Sequence, residues 1–486
     1  MGAAERLFAR DASLWTSSGE EHWLGWIDAV GDAVSGLAEL EAWARPLGEA
    51  HRRVVLCGMG GSSLAPLVIG ELADADRLVV LDSTDPDAVR AVPVEGSLFV
   101  IASKSGSTME PACFADAFWQ KTGHDGSRFV AITDPGSALE ARAQADGWAR
   151  IAHGRADVGG RYSAMSAFGL VPAALAGVDT GPLVSSAAAM LEACKADDGP
   201  GARLATAIAD AHAQGRDKLT ILTSPGLECV GLWLEQLIAE STGKRGTGVL
   251  PVAGEPIAAP ARYGADRVFA YLRADGVIDA EVSALEAAGH PVITLPFAPS
   301  ELGALFVQWE VATALIGARL GINPFDQPNV QEAKDLTVHL LEGFAASGKL
   351  PEEPAGTIAE TLAHAVKGRS YICLQAFVAP TDERAETLTR LQRMLRDATG
   401  CAVSAGFGPR YLHSTGQFHK GGPPNGIFIQ LLAGEQDDEP IPGRAFGFRT
   451  LRDAQASGDA GALRGRGLPL CRIPFAASER LLSEVS

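Results

Sequence analysis

Four hydroxyl side chains, a lysine and a glycine crowd into six consecutive residues, Ser103-Lys104-Ser105-Gly106-Ser107-Thr108. Such a set suits an oxyanion. Hydroxyls and backbone N–H groups donate hydrogen bonds, and a helix beginning just beyond would aim its unpaired N–H groups and partial positive charge at the ligand. Serine and threonine at a helix start are also ordinary caps. Here their density, and the apolar run 98–102 ahead of them, favour a phosphate. A second loop, Gly58-Met59-Gly60-Gly61-Ser62-Ser63, follows another apolar run and precedes a helical pattern. Its glycines allow a tight turn and close approach to a ligand. The spacing departs from the dinucleotide fingerprint, and Asp82 is the nearest candidate for a ribose ligand, so dinucleotide binding is the weaker reading. A loop lying beside 103–108 over the C-terminal edge of a parallel sheet is the stronger one.

The elements that must position these loops are short and β-rich. Runs at 53–57, 77–81, 98–102, 129–133 and 149–152 read as strands separated by alanine-rich helical patterns, and 167–178 as a short buried helix. Continuous rather than alternating apolar strands imply a parallel sheet covered on both faces. A second series runs through 218–223, 249–252, 268–272 and 292–296, with helices at 228–240 and 301–320. A third comprises 371–378, 402–405, 426–432 and 470–474, with a helix at 382–397. Residues 1–50 read as helical, with Trp15, Trp23, Trp26 and Trp43 on apolar faces. Composition shifts to Gly, Pro and Glu at 345–354. The predicted organisation is a helical segment 1–50, α/β domains 51–195 and 196–345, and a smaller C-terminal α/β unit 355–486.

Composition narrows the function classes. The chain has 486 residues, 47% hydrophobic and 21% charged, with a net charge of −18. That charge argues against nucleic acid or an anionic membrane as partner, and requires local donors for any phosphate. The seven cysteines are scattered and free of C-x-x-C pairs, so neither a disulfide framework nor a zinc site is indicated, and a reducing cytoplasm fits. No apolar run is long enough to span a membrane, and the N-terminus lacks a signal-peptide core.

Further motifs carry a resemblance. Gly159-Gly160-Arg161-Tyr162-Ser163 looks like a G-G-R-[FY]-S signature, Glu240-Ser241-Thr242-Gly243-Lys244 like E-S-x-G-K, and Asn323-Pro324-Phe325-Asp326-Gln327 with Lys334 downstream like an N-x-F-D-Q segment. With the two loops, these resemble the glucose-6-phosphate isomerase family across residues 50–340, in family order. The resemblance implies two SIS-type phosphosugar-isomerase domains, flanked by helices and followed by the C-terminal unit. That addition is similar to the isomerase half of bacterial transaldolase–isomerase fusions.

The family's reaction is aldose–ketose isomerisation through a cis-enediol, which needs a base, a stabiliser for enediolate oxygens and help in ring opening. By resemblance Glu240 is the base, Arg161 the stabiliser, and Lys334 acts near the ring oxygen. Ser103, Ser105, Ser107 and Thr108 hold the phosphate, with Lys104 and the turn Gly60, Gly61 and Ser62 at the substrate. Histidine departs from the pattern. The family's ring-opening histidine falls some 20 to 30 residues after the glutamate, yet none occurs here between Glu240 and His290. Leu412-His413-Ser414-Thr415-Gly416-Gln417 looks like an L-H-S-x-G-Q segment of bacterial members with a C-terminal extension. His413 is therefore the expected histidine, with Gln417 beside the substrate. The bland alternative puts His413 and His419 in a polar loop. No cofactor or metal is called for. The family's usual homodimer is loosened if the histidine comes from the same chain, and a separate transaldolase is an imaginable associate. Dual phosphoglucose/phosphomannose isomerase activity and a non-catalytic sugar-phosphate sensor are the competing functions.

Overall fold

The computed structural model describes residues 2–479 and 481. Three parallel sheets succeed one another along the chain. The first comprises β1 (Arg53–Cys57), β2 (Leu78–Leu81), β3 (Ser97–Ala102), β4 (Phe129–Thr133) and β5 (Arg150–His153), in the order β2-β1-β3-β4-β5. The second holds β6 (Lys218–Thr223), β7 (Leu250–Val252), β8 (Arg267–Arg273) and β9 (Val292–Pro296), ordered β7-β6-β8-β9. In the third, β10 (Tyr371–Phe377), β11 (Ala402–Phe407), β12 (Gly426–Leu432) and β13 (Leu470–Pro474) take the order β11-β10-β12-β13. Each sheet thus reverses direction between its first and third strands. That is where open α/β sheets place ligands, beyond the carboxyl ends of the strands.

Burial explains why these runs become strands. In β1 and β3 alternate residues face different cores: Val55, Cys57, Phe99 and Ile101 join Phe114 and Phe118, whereas Val54, Leu56, Leu98 and Val100 join Phe168, Val171 and Leu175. Both faces are covered by helices, so no polar alternation survives in the sequence. The N-terminal region is less helical than its sequence suggests. Helices Ala3–Phe8 and Trp26–Glu49 are separated by short 3-10 turns, because Ser17 and Gly19 both adopt left-handed backbone conformations there. Trp15 nevertheless docks, its Nε1 donating to the Ala314 carbonyl at 2.8 Å.

The third sheet is tied to the other two. Helix Val330–Ser347 packs against helix Phe448–Gly465, and Leu341 shares a core with Phe448, Leu451 and Ala454 as well as with β1 and β3. The stretch 349–357 carries no regular structure. Among the described residues no helix is long and apolar enough to cross a membrane.

Candidate active site

β3 delivers the hydroxyl loop to the sheet's switch point. Gly106 sits at φ +68°, where an added Cβ would meet the Leu139 nitrogen at 2.7 Å, so the loop bends tightly before helix Met109–Lys121 begins. Thr108 is that helix's N-cap residue, yet its side chain makes no capping bond. Ser105 and Ser107 share a hydroxyl–hydroxyl bond of 2.9 Å. The buried Ser103 hydroxyl makes no hydrogen bond at all. Capping therefore does not account for these hydroxyls. Ser105, Ser107 and Thr108 line a cavity of about 260 Å³ with Glu110, Lys334, His413, Lys420 and Gln455. That is just under the range of about 300–1,000 Å³ common for small-molecule clefts.

His413 closes the cavity from the third sheet's side. It ends a single 3-10 turn, Arg410–His413, that follows β11, and its Nε2 lies 2.9 Å from Glu110 Oε1. An ionised carboxylate only accepts hydrogen bonds, so this contact fixes the proton on Nε2. Burial opposes a charge on Glu110. The charge and hydrogen bond of His413, aided by Lys334, outweigh that and hold the carboxyl below its ordinary range. Gln455 donates a further bond of 2.7 Å to the same oxygen.

Glu240 and Arg161 form the second part of the site and are not among the residues lining that cavity. Arg161 is fixed on every side of its guanidinium. Nε donates to Ser241 Oγ at 2.8 Å, Nη1 to Gln327 Oε1 at 3.0 Å, and Nη2 to the carbonyls of Pro324 and Asp326 at 2.7 and 2.9 Å. Nη1 also lies 3.4 Å from Glu240 Oε1. The three motifs thereby interlock, and Lys244 adds bonds to the Asn323 carbonyl at 2.6 Å and to Asp326 Oδ1 at 2.7 Å. Burial, with the Arg161 charge close by, pushes the Lys244 amine down to about 7, against the pull of Asp326. The two halves meet at Gln236, one helical turn before Glu240 in helix Glu228–Thr242. Its Nε2 donates to Glu240 Oε2 at 3.1 Å and to the His413 carbonyl at 2.8 Å.

Some residues singled out from sequence stand elsewhere. Lys104 turns away from the cavity: its ammonium bonds the Asp134 carboxylate and the carbonyls of Arg155 and Ala156 at 3.0 and 3.1 Å. An ion-paired ammonium with three acceptors has little left for a phosphate. Gln417 is fully buried, bonded to Asn329 and to the Gly243 carbonyl, and clamps chain segments together. Gly60, Gly61 and Ser62 form a buried turn that supports the site. A Cβ on Gly60 would meet the His413 carbonyl oxygen at 2.7 Å, and one on Gly61 the Gly160 carbonyl at 2.0 Å. His419 lies in helix Gly416–Gly421 rather than a polar loop, buried between the Tyr371 hydroxyl at 2.9 Å and Cys373 Sγ at 3.3 Å. Glu110, Gln236 and Gln455 escaped the sequence reading. Glu110 offered one signal, as the carboxylate in the first turn of a helix whose next residues are mostly apolar.

Three parallel sheets flanked by helices define an α/β fold. Residues 34–245 match the phosphoglucose isomerase family model. The chain is 30% identical over 352 residues to the glucose-6-phosphate isomerase of Prochlorococcus marinus (strain MIT 9313), covering 61% of this chain and 64% of that protein, just under two thirds of its length. A probable glucose-6-phosphate isomerase of Methanococcus maripaludis is 25% identical over 377 residues, covering 66% and 84%. Among solved structures, a hypothetical protein from Thermus thermophilus superposes with a TM-score of 0.59 at 27% identity, covering 69% of this chain and 93% of that one. A Chlamydia trachomatis glucose-6-phosphate isomerase shares the fold with a TM-score of 0.54 at 21% identity, over 71% and 78%. In sequence the chain is similar to these glucose-6-phosphate isomerases over 61% and 66% of its length.

Proposed function

We propose that the chain interconverts glucose 6-phosphate and fructose 6-phosphate through a cis-enediol. The observation that carries this reading is the Gln236 amide, which bonds Glu240 and the His413 carbonyl at once and so sets a candidate base beside a candidate ring opener. The hydroxyls of Ser105, Ser107 and Thr108 hold the phosphate, with Ser103 behind them. His413, oriented by Glu110 through Nε2, moves a proton by way of its other ring nitrogen from the anomeric hydroxyl to the ring oxygen as the ring opens, with Lys334 lining the same cavity. Glu240 then removes the proton from C2 of the aldose and returns it to C1, or the reverse. Arg161 spends four of its five N–H donors on protein oxygens and turns Nη1 toward Glu240, so it acts on the enediolate chiefly through its fixed positive charge.

This reading places the protein in a reducing cytoplasm, in keeping with cysteines scattered along the chain without C-x-x-C pairs. The test is a coupled assay starting from fructose 6-phosphate, repeated with mannose 6-phosphate, for the wild type and Glu240→Gln. Turnover should occur with fructose 6-phosphate, introduce solvent deuterium at C2 of the product, and fall by on the order of 10²- to 10⁴-fold in the variant. Saturable binding without turnover would point instead to a sugar-phosphate sensor. Comparable turnover of mannose 6-phosphate would select the dual isomerase.

A further inference from the structure

Asp82, the nearest candidate for a ribose ligand in the sequence, has no task in the isomerase reading. It follows β2 and opens a strip, Asp82-Ser83-Thr84-Asp85, whose residues are all buried. Three of the four reach across to the third sheet's side. The Arg410 fork binds both Asp82 oxygens at 2.7 and 2.8 Å. Thr84 Oγ1 donates to Gln455 Oε1 at 2.7 Å, and Asp85 accepts from Arg452 Nη1 at 2.7 Å.

The first two contacts converge on one point. Arg410 opens the turn that ends in His413, and that turn has few bonds of its own, chiefly Leu412 N to the Pro409 carbonyl and Ser414 N to the Tyr411 carbonyl. Gln455, with its carbonyl side taken by Thr84, must present its amide N–H to Glu110 Oε1, the oxygen that His413 Nε2 also approaches. We infer that Asp82, through Arg410, and Thr84, through Gln455, are positioning residues that hold His413 on Glu110 across the junction of the first and third sheets. The inference rests on the proposal that this pair opens the sugar ring.

Bidentate pairing is what suits Arg410 to the task. A guanidinium fork sets direction as well as charge, whereas a lysine would supply charge alone. Misplacing a reacting group by about 1 Å costs on the order of 10²-fold in rate. The loss should fall chiefly on ring opening, because Arg161 holds Glu240 independently of the turn, while Gln236 bridges Glu240 and the His413 carbonyl.

The experiment compares two substrates in the full chain. One is fructose 6-phosphate, mostly ring-closed; the other is 5-deoxyfructose 6-phosphate, which lacks the hydroxyl needed to close and whose C1–H exchange in deuterium oxide reports the Glu240 step. Arg410→Met should lower turnover of the first by on the order of 10²-fold and change exchange in the second by less than about threefold. Arg410→Lys should recover part of the loss, and Thr84→Val should show the same selectivity in weaker form. Should Arg410→Met fail to fold, Arg410→Lys and Thr84→Val carry the comparison. Equal losses on both substrates, or no loss on either, would overturn the inference. His413→Ala separates the two levels: if it keeps full turnover of fructose 6-phosphate, the ring-opening proposal falls and takes this one with it. If His413→Ala is impaired while the Arg410 and Thr84 variants behave as wild type, only the positioning role is refuted.

Discussion

If Glu110 and His413 act as one device, removing either should cost nearly as much as removing both. Opposite unit charges 2.9 Å apart interact by about 6 kcal/mol at an effective dielectric of 20. That is a ceiling, since the side chains are 14% and 7% exposed and both lose solvation on burial. The rate effect has its own scale, because a positioned acid or base contributes roughly 10²- to 10⁴-fold. We expect Glu110→Gln and His413→Ala each to lower kcat on fructose 6-phosphate by about 10²- to 10³-fold, or about 3 to 4 kcal/mol in activation free energy. The double variant should be no more than severalfold worse than either, giving a coupling of similar size. Glutamine at 110 keeps the side chain's volume while removing the carboxylate that His413 Nε2 contacts. The assay is initial-rate kinetics coupled to oxidation of glucose 6-phosphate, with thermal unfolding confirming that each variant is folded. Losses that multiply in the double variant would mean independent roles, and single variants near the wild-type rate would remove His413 from the reaction.

Three further predictions follow from other parts of the molecule. Burial raises the Glu235 carboxyl from 4.5 to about 8, with one hydrogen bond from Ala253 N at 3.2 Å working against it. A raised folded value means its stabilising contribution is present in full below about pH 4.5 and lost as pH rises through about 8. Glu235→Gln should therefore gain on the wild type by at most about 5 kcal/mol across that window, read by denaturant unfolding at several pH values, and parallel curves would contradict it. Lys334→Met should lower kcat on ring-closed substrate by on the order of tenfold or more with a smaller change in KM; an effect on KM alone would make it a phosphate ligand instead. Because Gln236 ties Glu240 to the His413 carbonyl within one chain, specific activity should hold constant within about twofold on dilution from micromolar to nanomolar, and a steep loss would show that a second copy is required.

The strands were legible because burial on both faces writes itself into sequence as unbroken apolar runs, as in Val54, Val55, Leu56 and Cys57. Their limits in the structure, such as Arg267–Arg273 against the expected 268–272, differ by a residue or two at the ends. The Arg161, Glu240 and Lys334 motifs were legible as local strings, but their geometry was not. Lys104 illustrates the gap. Its type and place suggest a phosphate ligand, and only the fold reveals Asp134 as its partner, 30 residues away. Arg410 and Asp82 lie 328 positions apart, and Gln455 and Glu110 lie 345 apart. No local pattern encodes such pairs, because each is set by where separate sheets come to rest against one another. Glu110 stands two residues beyond the hydroxyl segment, where a carboxylate in the first turn of a helix is so often a simple dipole partner that its type alone signals nothing.

The turn that carries His413 also has a place in time. A chain leaving the ribosome presents the hydroxyl loop, Arg161 and Glu240 well before residue 413, and Gln455 later still. Domains generally fold as units from the N-terminus during synthesis. The first two sheets could thus take shape on the ribosome with the phosphate loop formed and the Glu110 carboxylate still unpartnered. Enzymatic competence would arrive only when the last sheet docks on the strip at 82–85. A truncated product of interrupted translation would then occupy sugar phosphate without consuming it.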